Sequence, residues 1–305
     1  MTNSCLFLPK TIFQEAWWME TATTGEWGIA TYKHKLGSLH WVYHVRNRFF
    51  CLKELGSPPL TIYLGLYFET DLFIQPQDQF KILAEGLPEL LHQLPKYHRL
   101  RQNFTQYFNW WAPLFWKGFD QHTRYTSIIT DIKDRDKIWD KFNKNTKRKI
   151  SKSSKNIKIE RCFDAKCLYR LFSKTMEHQA KQPGYSEVHL SRLTQLVKNK
   201  ERGMIYKGVD DLGREHCALL CVWDKHQAYY LAGGTDPELR SSGAMSLAMW
   251  TAIQDASSYT DVFNFEGSMQ IGIDNFLRGF GAIPIPYYSF THYKPEIVGK
   301  ISNFL

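Results

Sequence analysis

Long apolar runs are missing from this 305-residue sequence. None approaches the ~18–20 residues that a bilayer-spanning helix needs. The N-terminus, Met1-Thr2-Asn3-Ser4-Cys5-Leu6-Phe7-Leu8-Pro9-Lys10, has a short apolar patch with no basic residue before it. That is not the pattern of a secretory signal peptide, and a cytoplasmic location is expected. Cysteine is scarce, with 6 in the chain, too few for a disulfide scaffold at this length. Cys162 and Cys167 are five apart and Cys217 and Cys221 four apart. Neither pair has the gap of a zinc knuckle, and no His follows at ligand spacing. Reduced core thiols, and no metal, are expected. The Walker A Gly-Lys-Ser/Thr, the dinucleotide Gly-x-Gly-x-x-Gly and the Gly-x-Ser-x-Gly elbow are all absent. The 11 His are scattered and suggest no triad with a Ser or Cys.

What is present is the balance of a soluble globular protein, 43% hydrophobic and 23% charged, which excludes disorder, collagen and coiled coil for the whole chain. At roughly 100–200 residues per domain, the length suits one large domain or two ordinary ones. Aromatics reach 15% and suit large cores or aromatic-lined grooves.

Net charge is +9, and the excess is concentrated. Between Lys141 and Lys158 lie Lys141, Lys144, Lys147, Arg148, Lys149, Lys152, Lys155 and Lys158, with no acidic residue among them. Ile138, Phe142, Thr146, Ile150 and Ile157 recur at helical steps, so one amphipathic helix is expected here. Asp131 or Asp134 would cap it. At ~100° per residue, Lys141, Lys144, Arg148, Lys152 and Lys155 share one face. The row is either a solvated surface or a site for an anionic partner: a phosphorylated donor, tRNA or an anionic membrane surface.

No internal repeat and no long linker is visible. The first third reads as strands at 27–33, 39–45, 60–68 and 97–104, with a turn at Gly37-Ser38 and a helix over 80–94 interrupted by Pro88. Asn109 to Trp116 form an aromatic loop, either core filler between two lobes or the lining of a groove. A strand at 125–132 leads into the basic helix, so the boundary is placed near residue 125. Helices at 165–179 and 190–198 flank a Pro-Gly loop. Strands follow at 204–209, 216–223 and 228–232. A loop from Gly233 to Gly243 then opens a helix at 244–257, and a strand over 261–265 follows. The fold class is mixed α/β.

The chemistry is expected between Ala228 and Phe280. A strand ends in a Gly-rich loop that feeds a helix, where free backbone N–H groups and the helix dipole suit phosphate. Arg240 adds a cation. The returning strand ends in Glu266-Gly267-Ser268. Glu266 is the candidate general base, because burial at a strand end would raise its pKa toward neutrality. It could instead cap the following turn. Asp274 is a second candidate base, or else a cap for a helix over 275–280. Arg278 would hold an acceptor carboxylate or phosphate, or else form a surface ion pair. Tyr230 and Tyr288 are candidate proton donors to the leaving group. Phe265, Phe276 and Phe280 read as core.

Three pieces carry a resemblance. They are Lys144-Asn145-Thr146-Lys147-Arg148-Lys149-Ile150, the stretch from Tyr230 to Ala244, and Phe263-Asn264-Phe265-Glu266-Gly267-Ser268-Met269 continuing through Gly272-Ile273 and Phe276 to Ala282. Over roughly residues 125 to 290 the chain resembles the FemAB-like branch of the GNAT acyltransferase superfamily. The resemblance implies two tandem GNAT-like lobes: a degenerate one over 1–125, completed by 290–305, and an acyltransferase lobe over 126–289. It implies metal-independent transfer of an acyl or aminoacyl group to an amine, small or lipid-linked. The donor would be acyl-CoA, another acyl carrier or aminoacyl-tRNA. The last would make it a peptidyltransferase acting on a cell-wall precursor. A non-catalytic nucleic-acid- or membrane-surface-binding protein on the same scaffold is the remaining alternative. Donor-binding residues implied are Ala232, Gly233, Gly234, Arg240, Ser241, Ser242, Gly243 and Ala244. The strand from Ala228 to Gly233 would supply oxyanion donors, and Lys144, Arg148 and Lys152 would meet an anionic substrate. The sequence departs from the family at Met245, where CoA-binding loops carry Gly or Ala. It departs again at Leu277, where the cell-wall branch often carries Lys.

Overall fold

A computed structural model describes residues 8–23, 25–48, 52–267 and 271–294. The chain divides into two compact units, Met1–Arg124 with Pro286–Leu305, and Tyr125–Ile285.

The first unit opens with a short helix α1 (Ala16–Ala22) and the hairpin β1 (Trp27–His34) and β2 (Gly37–Arg48). The hairpin turn falls at Lys35-Leu36, so Gly37 starts the second strand rather than forming the turn. Gly37 has a φ of 146°, and a Cβ there would meet the Glu69 carbonyl at 2.4 Å, which explains the glycine. Next come β3 (Leu52–Gly56), β4 (Gly65–Glu69), α2 (Pro76–Gln93), β5 (Arg99–Asn103) and α3 (Ala112–Phe115). The sheet is built by β2 pairing with β1, β3 and β4, and by β3 pairing in parallel with β5. Pro88 does not interrupt α2. Ile82, Leu83, Leu87 and Leu90 are buried on both sides of it, and this apolar face holds the helix through the missing hydrogen bond. Trp110 and Trp111, from the expected aromatic loop, pack on this unit's own core, while Phe115 and Trp116 are exposed.

The second unit begins within β6 (Asp120–Thr130) and continues through α4 (Arg135–Lys141), α5 (Lys144–Ser153), β7 (Ile157–Cys162), α6 (Ala165–His178) and α7 (Glu187–Asn199). There follow β8 (Gly203–Asp210), β9 (Glu215–Trp223), β10 (Ala228–Thr235), α8 (Ala244–Ala256), β11 (Val262–Asn264) and α9 (Ile271–Arg278). The strand order is β6-β11-β10-β9-β8-β7. Every pair is antiparallel except β10 with β11, which α8 joins as a crossover. From His216 to Trp223 every residue of β9 is buried, the mark of a strand covered on both faces. Cys217, Leu219 and Cys221 join the cluster around α8, and α6 packs against β9 and β10. The last strand, β12 (Ile283–Tyr293), brings the chain back to the first unit, where Ser289 to Tyr293 pair with β5.

The basic segment is not one helix. Asp134 caps α4, accepting from the Lys137 N–H at 3.0 Å, and Asn143 starts α5 afresh, accepting from the Thr146 N–H at 2.8 Å. The apolar stripe misled because it continues across the break: Phe142 is buried between the helices, and Ile157 is buried at the start of β7. Lys141 therefore ends α4, Lys155 lies beyond α5, and Lys158 belongs to a strand.

Candidate active site

β10 and β11 run together only at Ala228 with Phe263 and Tyr229 with Asn264. Beyond that point they part. Phe265 donates its N–H to the Ser127 carbonyl of β6 at 2.9 Å, so the chain after β11 follows β6 instead. β10 runs on to Thr235, with a bulge between Tyr230 and Ala232. Among the described residues, β11 supplies no ladder partner to β10 past Tyr229. The resulting wedge has backbone N–H groups on one side and Glu266 on the other.

Glu266 is held there by strain and a buried polar network. Its φ is 51°, a left-handed conformation for a residue with a side chain, which costs about 1–3 kcal/mol. The Thr126 hydroxyl donates to the Asn264 side-chain oxygen at 2.5 Å, and the Glu266 N–H donates to the same oxygen at 2.9 Å. The Gly267 N–H donates to the Thr126 hydroxyl at 3.2 Å, and the Asn264 amide donates to Gln227 at 3.0 Å. Thr126, Gln227 and Asn264 are all fully buried. A buried network of this kind favours one backbone geometry. Gly267 is required because a Cβ would lie 1.8 Å from the Tyr125 carbonyl oxygen.

Desolvation pushes the Glu266 carboxyl up to about 8. Burial, and then the Glu266 charge, raise the hydroxyl of Tyr230, so it stays protonated. Tyr185, from the α6–α7 loop, is raised first by burial and then by the charges of Tyr230 and Glu266. Its hydroxyl is buried and has no hydrogen-bond partner among the described residues. Tyr185 stacks flat on Phe172 at 4.8 Å. A titratable carboxylate and two phenol hydroxyls thus share one desolvated region, the environment of acid–base chemistry near neutral pH.

The expected donor-binding residues separate into two groups. Ala232, Gly233 and Gly234 lie within β10, not in a loop. Gly234 serves packing, since a Cβ there would come within 2.3 Å of the Leu171 and Phe172 backbone in α6. Gly233 instead makes room for Tyr230, whose hydroxyl would lie 2.4 Å from a Cβ. Arg240, Ser241 and Ser242 form a 3-10 turn, Gly243 turns left-handed at a φ of 79°, and α8 starts at Ala244. Gly243 lies against α5, with a Cβ position 3.3 Å from the Lys149 carbonyl. Met245 is half-buried and packs against the core. Lys144, Arg148 and Lys152 are exposed on α5 and have no ion pair among the described residues. Lys147 differs, sitting 3.6 Å from Asp140.

The remaining candidates divide, and Arg278 takes its surface ion-pair alternative. Arg278 is exposed and pairs with Asp274 one turn away at 2.6 Å. Asp274 lies inside α9, which starts at Ile271, so it does not cap a later helix. Tyr288 belongs to the first unit, against Phe290 and that unit's core. Ser268 and Met269 lie outside the described residues. Phe265 and Phe280 are core, and Phe276 is half-buried beside them. Sequence reading missed Asn264, Thr126, Gln227 and Tyr185. A buried-strand pattern with Asn264 between Phe263 and Phe265 was the one available signal for the network. His216 does join a serine and an aspartate: its ring lies 3.0 Å from Ser242 and 3.0 Å from Asp210.

Residues 140–265 match the acetyltransferase (GNAT) domain family. That match lies within the second unit and spans less than half of the chain. No curated protein matches the chain. Among solved structures, the chain is similar to FemX at 12% identity, with 93% of this chain and 94% of that chain covered and a TM-score of 0.68. It is also similar to a conserved protein of unknown function from Bacteroides thetaiotaomicron, at 8% identity, 95% and 94% coverage and a TM-score of 0.54. A tandem GNAT protein from the clavulanic acid biosynthesis pathway matches at 9% identity, 95% and 92% coverage and a TM-score of 0.52. These likenesses show the fold, two GNAT-like lobes in tandem. No helix among the described residues is long and apolar enough to cross a membrane.

Proposed function

We propose that the GNAT domain moves an acyl group from an acyl carrier, acyl-CoA or a similar thioester, to an amine by direct attack in a ternary complex. The observation that carries this reading is Glu266: a strained, half-buried carboxylate beside the point where β10 and β11 part, with a pKa pushed up to about 8 by desolvation. In the proposed step Glu266 takes a proton from the acceptor ammonium. The neutral amine attacks the thioester carbonyl, the C–N bond forms, and the oxyanion is met by backbone N–H groups on the open edge of β10. The C–S bond then breaks, Tyr230 or Tyr185 protonates the thiolate, and the second proton, shed by the attacking nitrogen as the amide forms, returns that phenolate to its phenol. Positioning donor and acceptor side by side supplies about 7–11 kcal/mol. The phosphates of the carrier are assigned to the turn at Arg240 to Gly243 and the start of α8, where the Arg240 cation and the helix dipole favour anions. The Met245 side chain packs against the core, which supports room for them. No metal is assigned a role.

A panel of acyl-CoA species, acyl carrier protein and charged tRNA, screened by thermal shift, tests the donor. Acyl-CoA at a hundred times its Kd should stabilise the fold by about 2.7 kcal/mol. No shift with any thioester, but one with charged tRNA, would replace this donor.

That second reading, aminoacyl-tRNA as donor, is favoured by the exposed cations of α5. Changing Lys144, Arg148 and Lys152 together to Ala should weaken donor binding about tenfold at low salt, with the difference fading as salt rises. A steep salt dependence extending to bulk RNA points to tRNA. Unchanged affinity leaves the row a solvated surface.

A further inference from the structure

One face of the first unit's sheet carries a group of arginines that the acyl-transfer steps leave unused. Leu55 of β3 and Leu100 of β5 point into the buried core. Their chain neighbours point to the other side, because side chains alternate along a strand. Arg46 of β2 stands opposite Glu54 of β3, and Glu54 stands opposite Arg99 of β5. Arg101, two residues on, shares the face of Arg99 and stands opposite Gly56. Arg124, the last residue of the first unit, reaches the same patch from β6, where its charge acts on Arg101. Four guanidinium groups meet one carboxylate.

That carboxylate is already engaged. Glu54 is 2% exposed. Arg46 Nη2 donates to Glu54 Oε1, and Arg99 Nη1 lies 3.6 Å from Glu54 Oε2. Gly56 makes room for the pair: a Cβ there would run into the Arg46 guanidinium and come within 2.9 Å of Glu54 Oε1. Arg99 also lies over the Tyr293 ring, 5.9 Å from its centre. Two of the four cations are thus tied down. Arg101 and Arg124 have no ion pair and no side-chain hydrogen bond among the described residues. Arg101 is exposed and Arg124 half-buried. Partial burial, and then the charges of Arg99 and Arg124, lower the Arg101 guanidinium, while Glu54 and Tyr293 act the other way. Like charges gathered on neighbouring strands cost stability. A surface that keeps them creates a local field for an anion.

We propose that this face binds a phosphoryl group, with Arg101 and Arg124 donating to its oxygens while Arg46 and Arg99, held by Glu54, supply a positive floor. The excess of cations over carboxylate is balanced better by a dianion than by a single carboxylate ligand. The planar guanidinium, with paired N–H groups pointing the same way, matches phosphate oxygens. Arg101 is exposed, so the ligand is met at the surface, where a soluble phosphate ester and a lipid headgroup present the same chemistry. The inference is independent of the acyl-transfer reading and stands or falls without it.

The test compares the full wild-type chain with the double variant Arg101→Gln/Arg124→Gln in two arms. In the first, inorganic pyrophosphate is titrated calorimetrically at low salt. The double variant should bind about a hundredfold more weakly, roughly tenfold for each charge-assisted bond lost. In the second, each protein is sedimented with phosphatidylcholine vesicles, with and without phosphatidic acid. Wild type that sediments with phosphatidic acid, and a double variant that does not, assign the phosphoryl group to a lipid headgroup. A difference with pyrophosphate alone assigns it to a soluble phosphate ester. No difference between the two proteins in either arm would overturn the proposal, because any bound anion would then sit elsewhere. Melting curves without ligand add a second check. The double variant relieves repulsion and should melt no lower than wild type. A clearly lower midpoint would also overturn the proposal, since the two arginines would then be holding the sheet together.

Discussion

Glu266→Gln is expected to lower kcat by about a hundred- to ten-thousandfold, the range of a removed general base. In the wild type, kcat/KM should climb tenfold per pH unit and level off above about 8, where burial has placed the carboxyl. The variant should lose that inflection along with the rate. Stability moves oppositely. The folded-state pKa lies above the ~4.3 of an unfolded chain, so the folded state binds the proton more tightly. Its contribution is fully present below about pH 4 and drains away as pH rises through about 8. Gln, neutral throughout, escapes that loss. Glu266→Gln should therefore match wild type near pH 4 and melt higher at pH 8–9. The gap should widen by at most about 1.4 kcal/mol for each pH unit crossed between those limits. Steady-state pH profiles and melting curves at both pH values check the pair of effects. A variant with wild-type turnover at pH 8 would remove Glu266 from the chemistry.

Two adjacent glycines should respond in different ways. Gly234→Ala places a methyl within 2.3 Å of the Leu171 carbonyl carbon and the Phe172 nitrogen. These are backbone atoms of a helix and cannot rotate away. The helix must lift from β10, at a cost of about 3 kcal/mol or more. At roughly 2–4 °C per kcal/mol, the melting midpoint should fall by about 6–12 °C. Gly233→Ala meets the Tyr230 side chain, its hydroxyl at 2.4 Å and its ring at 2.8 Å, rather than backbone, and that side chain can swing. Its midpoint should move little while kcat falls, because Tyr230 shares the region of Glu266. Melting curves measured beside kcat/KM separate the two. A Gly234→Ala protein with an unchanged midpoint and lost donor binding would return Gly234 to the donor site.

Local features were legible in the sequence. The mixed α/β order, the turn-to-helix step at Gly243 and the strand that leads into Glu266 all rest on residues close in the chain, where periodicity and turn chemistry act. The failures share a cause. The break at Phe142-Asn143 is invisible to a stripe count, because a buried Phe142 satisfies the helical period and a capping Asn143 looks like any polar residue. Gly234 reads as part of a phosphate loop until α6, far away in sequence, is found pressed against it. The network that strains Glu266 joins Thr126 to Asn264, and the His216 chain joins the β8–β9 turn to the turn before α8. Such contacts depend on strand order, which no single segment encodes.

The return of β12 to β5 also sets an order of assembly during synthesis. When the ribosome has finished Arg124, β5 has β3 on one side but lacks the strand that will cover its other edge. That strand is made only after Tyr125–Ile285 has emerged. The later-made unit can therefore close first, and the earlier one waits with an unpaired edge, exposed to chaperones or to a neighbouring nascent chain.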